Sequence, residues 1–278
     1  MAGTLDDLRK KAAAGDAEAQ LKLSQLYHKG DGVAQDYAEA AKWCRSAADQ
    51  GVATAQFNLG GYYRLGKGVP KDAAEAAKWY EKAAEQGDAE AQHTLGILCL
   101  TGQGVPTNTV LAVKWLRKAA DQGDVAAQTL LGFRYYQGDG VPKDTSEAVR
   151  LWKKSGDQGD SLAQGKLGNV YYQGDGVTKD AAEAVKWWRA AAEQGVPEAQ
   201  NNLGMMYLTG EAVPKDAVQA YKWFTLAAKS GYPLATGNQT NVSLELSGAQ
   251  IVEALRLVRE FKPKTTPTHE PNSPSFRP

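Results

Sequence analysis

An all-α solenoid is the fold class this sequence predicts, and three observations predict it. Glycine recurs at Gly15, Gly51, Gly87, Gly123, Gly159, Gly195 and Gly231, a constant step of 36 residues. Counted from each glycine, offsets 4 and 5 are Ala-Gln in six successive units, from Ala19-Gln20 to Ala199-Gln200, and offset 8 is always Leu. Each unit then reads as two helices joined by a glycine-containing loop, and one such pair cannot bury its own apolar face without neighbours. The pairs must stack.

The elements follow in order. Residues 1–14 form an N-terminal cap, a lone helix of the second kind that covers the apolar face of unit one. The six units occupy residues 15–50, 51–86, 87–122, 123–158, 159–194 and 195–230. In unit one the first helix covers residues 16–28, with Gln20, Leu23 and Tyr27 on one face at the i, i+3, i+7 spacing. A Gly-x-Gly-Val loop follows, as in Gly66-Lys67-Gly68-Val69. At offset 21, Asp36, Asp72, Asn108, Asp144, Asp180 and Asp216 cap the second helix through a side-chain oxygen. That helix carries Trp at offset 28 in five units (Trp43, Trp79, Trp115, Trp187, Trp223) and usually closes on an Ala pair before the next glycine ends it. Small residues at offsets 4, 9, 25, 32 and 33 let the helix axes approach, and Leu, Tyr and Trp fill the remaining space.

Two units depart from the pattern. Unit four has Leu151-Trp152 and Ser155-Gly156. Glycine inside a helix costs ~1 kcal/mol relative to alanine, so a weak seam is expected near Gly156. Unit six has Ala212 in place of the second loop glycine, which predicts a reshaped loop. Past Gly231, residues 231–261 read as a C-terminal cap. Its final helix, over 247–261, turns Ile251, Ala254, Leu255 and Val258 inward, and residues 232–246 stay unassigned. Residues 262–278 hold five prolines and almost no apolar side chains, which predicts a disordered tail.

Composition narrows the function. Thirty-two basic side chains balance 32 acidic ones over 278 residues, which removes the broad field that nucleic-acid and acidic-membrane binders use. No run of 18 apolar residues appears, and the charged start lacks the apolar core of a signal peptide. A soluble chain is expected, cytoplasmic as written and periplasmic or secreted where a leader has been removed. Cys44 and Cys99 stand two repeats apart in helical segments and read as buried thiols. None of the glycine loops continues into Gly-Lys-Ser/Thr, and Gly-Asp-Gly at Asp31, Asp139 and Asp175 lacks the further acids of a calcium loop. His28, His93 and His269 are too scattered to make a metal site or proton relay. Glu39/Lys42, Glu75/Lys78 and Glu183/Lys186 read as solvated ion pairs. Sequons at Asn238 and Asn241 matter only in a eukaryotic secretory context. No catalytic residue, metal or cofactor is expected.

The recurring string A-Q-x-x-L-G-x-x-Y-x-x-G-x-G-V-x-x-D-x-x-x-A-x-x-W-x-x-x-A-A resembles the Sel-one-like repeat family, a relative of tetratricopeptide repeats. The resemblance implies a right-handed superhelix of antiparallel helix pairs whose first helices line a concave surface. It also implies an adaptor that assembles other proteins, as in many bacterial members. An alternative, β-lactam binding or hydrolysis as in some cysteine-rich members, rests on regularly paired cysteines that this chain lacks.

Positions that vary between units are free to specify a partner. On the first helix, offsets 6, 10 and 13 point ~130° from the Gln-Leu-Tyr face, taking 100° per residue. By the resemblance they line the concave groove, and the candidate contacts are Phe57, Arg64, His93, Phe133, Tyr136, Asn169, Tyr172 and Asn201. Aromatic residues and Arg are enriched at interface hot spots, and Asn can bond a peptide backbone. Ile97, Leu100 and Leu208 read as packing. The expectation is a monomeric, non-enzymatic scaffold for a protein or peptide partner.

Overall fold

A computed structural model describes residues 2–264. Most of the expected tail, 265–278, lies outside the described residues. Among those described, fifteen helices and no strand are present. Helix α1 (Ala2–Ala13) precedes six pairs, α2 (Ala17–Lys29) with α3 (Tyr37–Asp49), α4 (Ala53–Leu65) with α5 (Ala73–Glu85), α6 (Ala89–Thr101) with α7 (Thr109–Asp121), α8 (Val125–Gln137) with α9 (Thr145–Asp157), α10 (Ser161–Gln173) with α11 (Ala181–Glu193), and α12 (Pro197–Thr209) with α13 (Ala217–Lys229). Helices α14 (Ala235–Ser243) and α15 (Gly248–Glu260) close the chain. Two compact units divide it: residues 2–127 with 139–141, and residues 128–138 with 142–264. In the first, each helix from α1 to α7 packs on the next; in the second, α9 to α13 do the same, and both α14 and α15 pack on α13. This is the helix-pair stacking of an α-solenoid.

Local sequence fixes the helix ends. All six offset-21 side chains cap as expected, Asp72 accepting from Glu75 N at 2.9 Å and Asn108 from Leu111 N at 2.9 Å. Asp16, Asp88, Asp124 and Asp160 do the same for first helices. Both loop glycines take positive φ in units one to five, for example +69° at Gly66 and +71° at Gly68. Gly68 has a second constraint, because a Cβ there would overlap the Tyr37 carbonyl oxygen of the preceding pair. Ala212 does not reshape its loop as expected. It adopts φ +61°, so the loop keeps its form with an alanine in a left-handed conformation.

Volume is matched inside each pair. The offset-9 glycine receives the large residue at offset 29 of its own second helix. A Cβ on Gly60 would stand 2.8 Å from the Tyr80 ring, one on Gly96 2.8 Å from Leu116, and one on Gly204 2.8 Å from Phe224. Unit one reverses the sizes, with Ser24 opposite the small Cys44. The Ser24 hydroxyl donates to Ala40 O at 2.7 Å. Unit four follows the same rule, since Trp152 lies under Gly132 and Leu151 takes the usual tryptophan position; both are buried. No gap opens at Gly156. Helix α9 runs through it, and Leu167 and Trp187 come within 3.0 and 3.3 Å of the place a Cβ would occupy.

A glutamine clamp joins successive pairs, and half of it was not anticipated. The buried offset-5 glutamine donates to a carbonyl at the end of the preceding second helix: Gln20 to Ala12 O, Gln56 to Ala48 O, Gln92 to Ala84 O, Gln164 to Gly156 O and Gln200 to Ala192 O. Its own oxygen accepts from a second glutamine 30 residues on, as in Gln50 to Gln20 at 2.8 Å and Gln194 to Gln164 at 2.8 Å. Three helices thus share one partly buried hydrogen-bond chain. In unit six the second glutamine is replaced by Ser230, and the buried Gln200 Oε1 has no hydrogen-bond partner among the described residues.

The C-terminal cap differs in three respects. Residues 232–246, unassigned from sequence, contain α14. Leu255, expected inward, is 38% exposed, while Ala254 and Val258 are buried. The first residues of the expected disordered tail are held in place. Lys264 N donates to Glu193 O at 2.8 Å, its ammonium pairs with the Glu193 carboxylate at 2.5 Å, and Phe261 meets the Trp223 ring at 5.6 Å.

Candidate functional site

The eight candidate residues divide by burial. Phe57 is 6% exposed, packed on Tyr80 in a cluster with Ala91 and Leu95 of the next first helix. His93 is also 6% exposed, with Nδ1 3.7 Å from Asp124. Asn201 is 4% exposed because α14 covers it, and its Oδ1 accepts from Asn238 Nδ2 at 2.8 Å. These three pack the interior and do not form the expected contact surface. Offset 6 points toward the neighbouring first helix instead of outward.

The other five are partly exposed. In the first unit, Arg64 donates to Tyr80 Oη at 3.3 Å. The second unit brings four together by repetition. Phe133 and Tyr136 of α8 both lean on Trp152, with centroids 5.3 and 5.4 Å apart, and Tyr172 of α10 leans on Trp188 at 5.3 Å. Each tyrosine faces an acid in the loop of the following pair. Hydrogen bonding to Asp175, with some desolvation, raises the Tyr136 pKa. Desolvation, then Glu211, raises that of Tyr172, whose hydroxyl donates to Glu211 Oε2 at 3.2 Å. The 39-residue step from Tyr136 to Asp175 and from Tyr172 to Glu211 is the sequence signal for this pairing.

Asn169 is the hub of a pocket of about 350 Å³. Its Oδ1 accepts from Trp188 Nε1 at 2.9 Å and Asn202 Nδ2 at 3.3 Å, and its Nδ2 donates to Glu198 Oε1 at 3.0 Å. Tyr172, Gln173, Met205, Met206 and Thr209 complete the walls. In the preceding unit the position of Asn169 is held by Phe133, whose bulk would fill this space.

The remaining chemistry is sparse. Cys44 and Cys99 are buried and free. Burial pushes the Cys44 thiol up to about 12 and raises Cys99 as well, which opposes a thiolate nucleophile. His28 lies between Tyr37 and Tyr62, its pKa lowered first by burial and then by Lys67 and Lys29. Among the described residues no group of three or more His, Cys, Asp or Glu is placed to hold a metal, and no helix is long and apolar enough to cross a membrane. The three Glu/Lys pairs form, at 2.9 to 3.2 Å, and two of the glutamates also accept from an indole, Trp43 to Glu39 and Trp79 to Glu75.

Stacked helix pairs of constant length with a variable first-helix face define a helical-repeat protein. The Sel1 repeat matches six segments, residues 17–52, 53–88, 89–124, 125–160, 161–196 and 197–232, and the chain belongs to the Sel1 repeat family. Its repeats commonly serve as protein-interaction scaffolds. The chain is similar to a Sel1 repeat protein from Oxalobacter formigenes of known structure, at 37% identity and a TM-score of 0.65 over 77% of this chain and 85% of that one. It also aligns with c5321, a protective antigen of uropathogenic Escherichia coli with an SLR fold, at 26% identity and TM-score 0.43 over 92% and 86%. A third match is immunity protein Pa5087 from Pseudomonas aeruginosa, at 21% and 0.41 over 78% and 83%. At such scores neither of the last two bears on function. No curated protein matches.

Proposed function

We propose that this protein is a non-catalytic scaffold that binds a partner polypeptide along the face of its first helices. One observation carries the reading. In the second unit Phe133, Tyr136 and Tyr172 stand partly exposed on successive first helices, each braced against a buried tryptophan. A braced aromatic loses little side-chain entropy on binding and offers a large apolar surface, as hot-spot residues do. The repeat spacing suits an extended segment or a helix laid across several pairs.

The test is affinity capture with mass spectrometry from a lysate of the source organism, run on wild type, Phe133→Ala/Tyr136→Ala and, as a control on the exposed side of α9, Lys153→Glu. Circular dichroism first establishes that all three are folded. A protein retained by wild type and the control but lost from the double variant is the expected result. Loss from the control alone would move the site to the second helices and overturn the reading.

A further inference from the structure

We infer that the Asn169 pocket takes a basic side chain, lysine or arginine, of the partner polypeptide. This rests on the scaffold reading above and adds the chemistry of its partner. The pocket offers acceptors and aromatic faces. Glu198 lines it, and Glu211, outside its walls, is joined to it through the Tyr172 hydroxyl; each receives one neutral hydrogen bond, from Asn169 and Tyr172, and neither has an ion pair among the described residues. Both are only partly exposed, and Glu198 stands in the first turn of α12. No lysine or arginine lines the pocket. The cation that comes near, Lys179, sits over the Tyr172 ring at 5.1 Å.

Asn169, Trp188 and Asn202 each commit a donor to an internal bond, and the Gln173 amide at the rim is exposed. Asn169 Oδ1 is saturated by Trp188 and Asn202, which fixes the amide so that its Nδ2 points to Glu198. An incoming carboxylate would meet the like charge of Glu198. An incoming ammonium or guanidinium would find the Glu198 carboxylate, with the tyrosine and tryptophan rings beside it and Met205 and Met206 for its aliphatic stem. With net charge zero over the whole chain, this local complementarity selects the partner, not a general field.

The test pans random peptides displayed on phage against the immobilised full chain, then measures the selected peptides on wild type and on Glu198→Gln/Glu211→Gln. These substitutions are isosteric and keep an oxygen to accept from Asn169 and Tyr172, so folding should survive; thermal melting checks it. The expected result is a lysine or arginine at one fixed position. Replacing it with uncharged norleucine should weaken binding to wild type about tenfold or more and change binding to the double variant little. Peptides that need Phe133 and Tyr136 but no basic residue would overturn the pocket assignment and leave the scaffold reading intact. So would a basic residue whose loss costs both proteins alike. A library that yields no binder, or binders indifferent to the Phe133→Ala/Tyr136→Ala variant, would overturn both.

Discussion

At Gly68 a single methyl group would meet two separate penalties. The residue sits at φ +71°, and its Cβ would overlap the Tyr37 carbonyl. Gly51, at φ +89°, faces nothing within 4 Å. Gly51→Ala should therefore cost only left-handed strain, about 1–2 kcal/mol, and Gly68→Ala roughly 2–5 kcal/mol once overpacking is added. Ala212, at φ +61°, already carries the strain, so Ala212→Gly should gain up to about 1 kcal/mol after the entropy of the more flexible unfolded chain is deducted. Urea midpoints at constant slope would rank the three; equal losses at Gly51 and Gly68 would refute the backbone contact. The glycines themselves were legible, being periodic. The contact at Gly68 was not, because it lies between a loop and the preceding pair, and a single repeat does not contain it. For the same reason the burial of Phe57 and His93 escaped the helical wheel. The wheel gives the direction of a side chain on its own helix and says nothing about which neighbour lies over it.

At the scale of the element, the helices were readable in nearly all respects because each end has its own local chemistry: an Asp or Asn cap, a left-handed glycine, a fixed length of 13 residues in the repeat helices. The glutamine clamp was half readable. Its buried member recurs beside alanine at offset 5, whereas its partner, just before the boundary glycine 30 residues later, sits at a helix end where a polar residue needs no partner. The clamp's broken copy gives a prediction. Ser230 has φ −87° and ψ 8°, close to −83° and 3° at Gln50, and is exposed. Ser230→Gln should place a donor on the orphaned Gln200 Oε1 and gain about 1 kcal/mol. Gln164→Ala should lose roughly 1–3 kcal/mol, since it removes the two hydrogen bonds the buried amide makes, to Gly156 O and from Gln194 Nε2. Thermal melts of both variants check this. An unchanged midpoint for Ser230→Gln would mean that Gln200 is already satisfied by solvent.

A stack of helix pairs has an unavoidable problem at each end, because the last pair exposes the face that an internal pair would bury. At the N-terminal end α1 answers it with Leu5, Leu8 and Ala12 against Ala19 and Leu23. The C-terminal answer is less regular, which is why residues 232–246 carried no readable pattern. Helix α14 covers Asn201 with an asparagine pair, α15 packs Ala254 and Val258 against α13, and residues 261–264 return across Trp223 to Glu193. Lys222, whose pKa burial lowers, lies over both Trp223 and Phe261 at 4.3 and 5.9 Å, so the returning segment also shields a cation–π stack. If this segment is part of the cap, Phe261→Ala should cost about 1–2 kcal/mol for a partly buried ring and lower the melting temperature by several degrees. Truncation after Leu246 should go further, exposing Trp223 and Leu226 and producing concentration-dependent association in light scattering. Truncation after Lys264 keeps every contact described here and should melt as the full chain does. Equal melting of all three would show that α14 alone closes the stack.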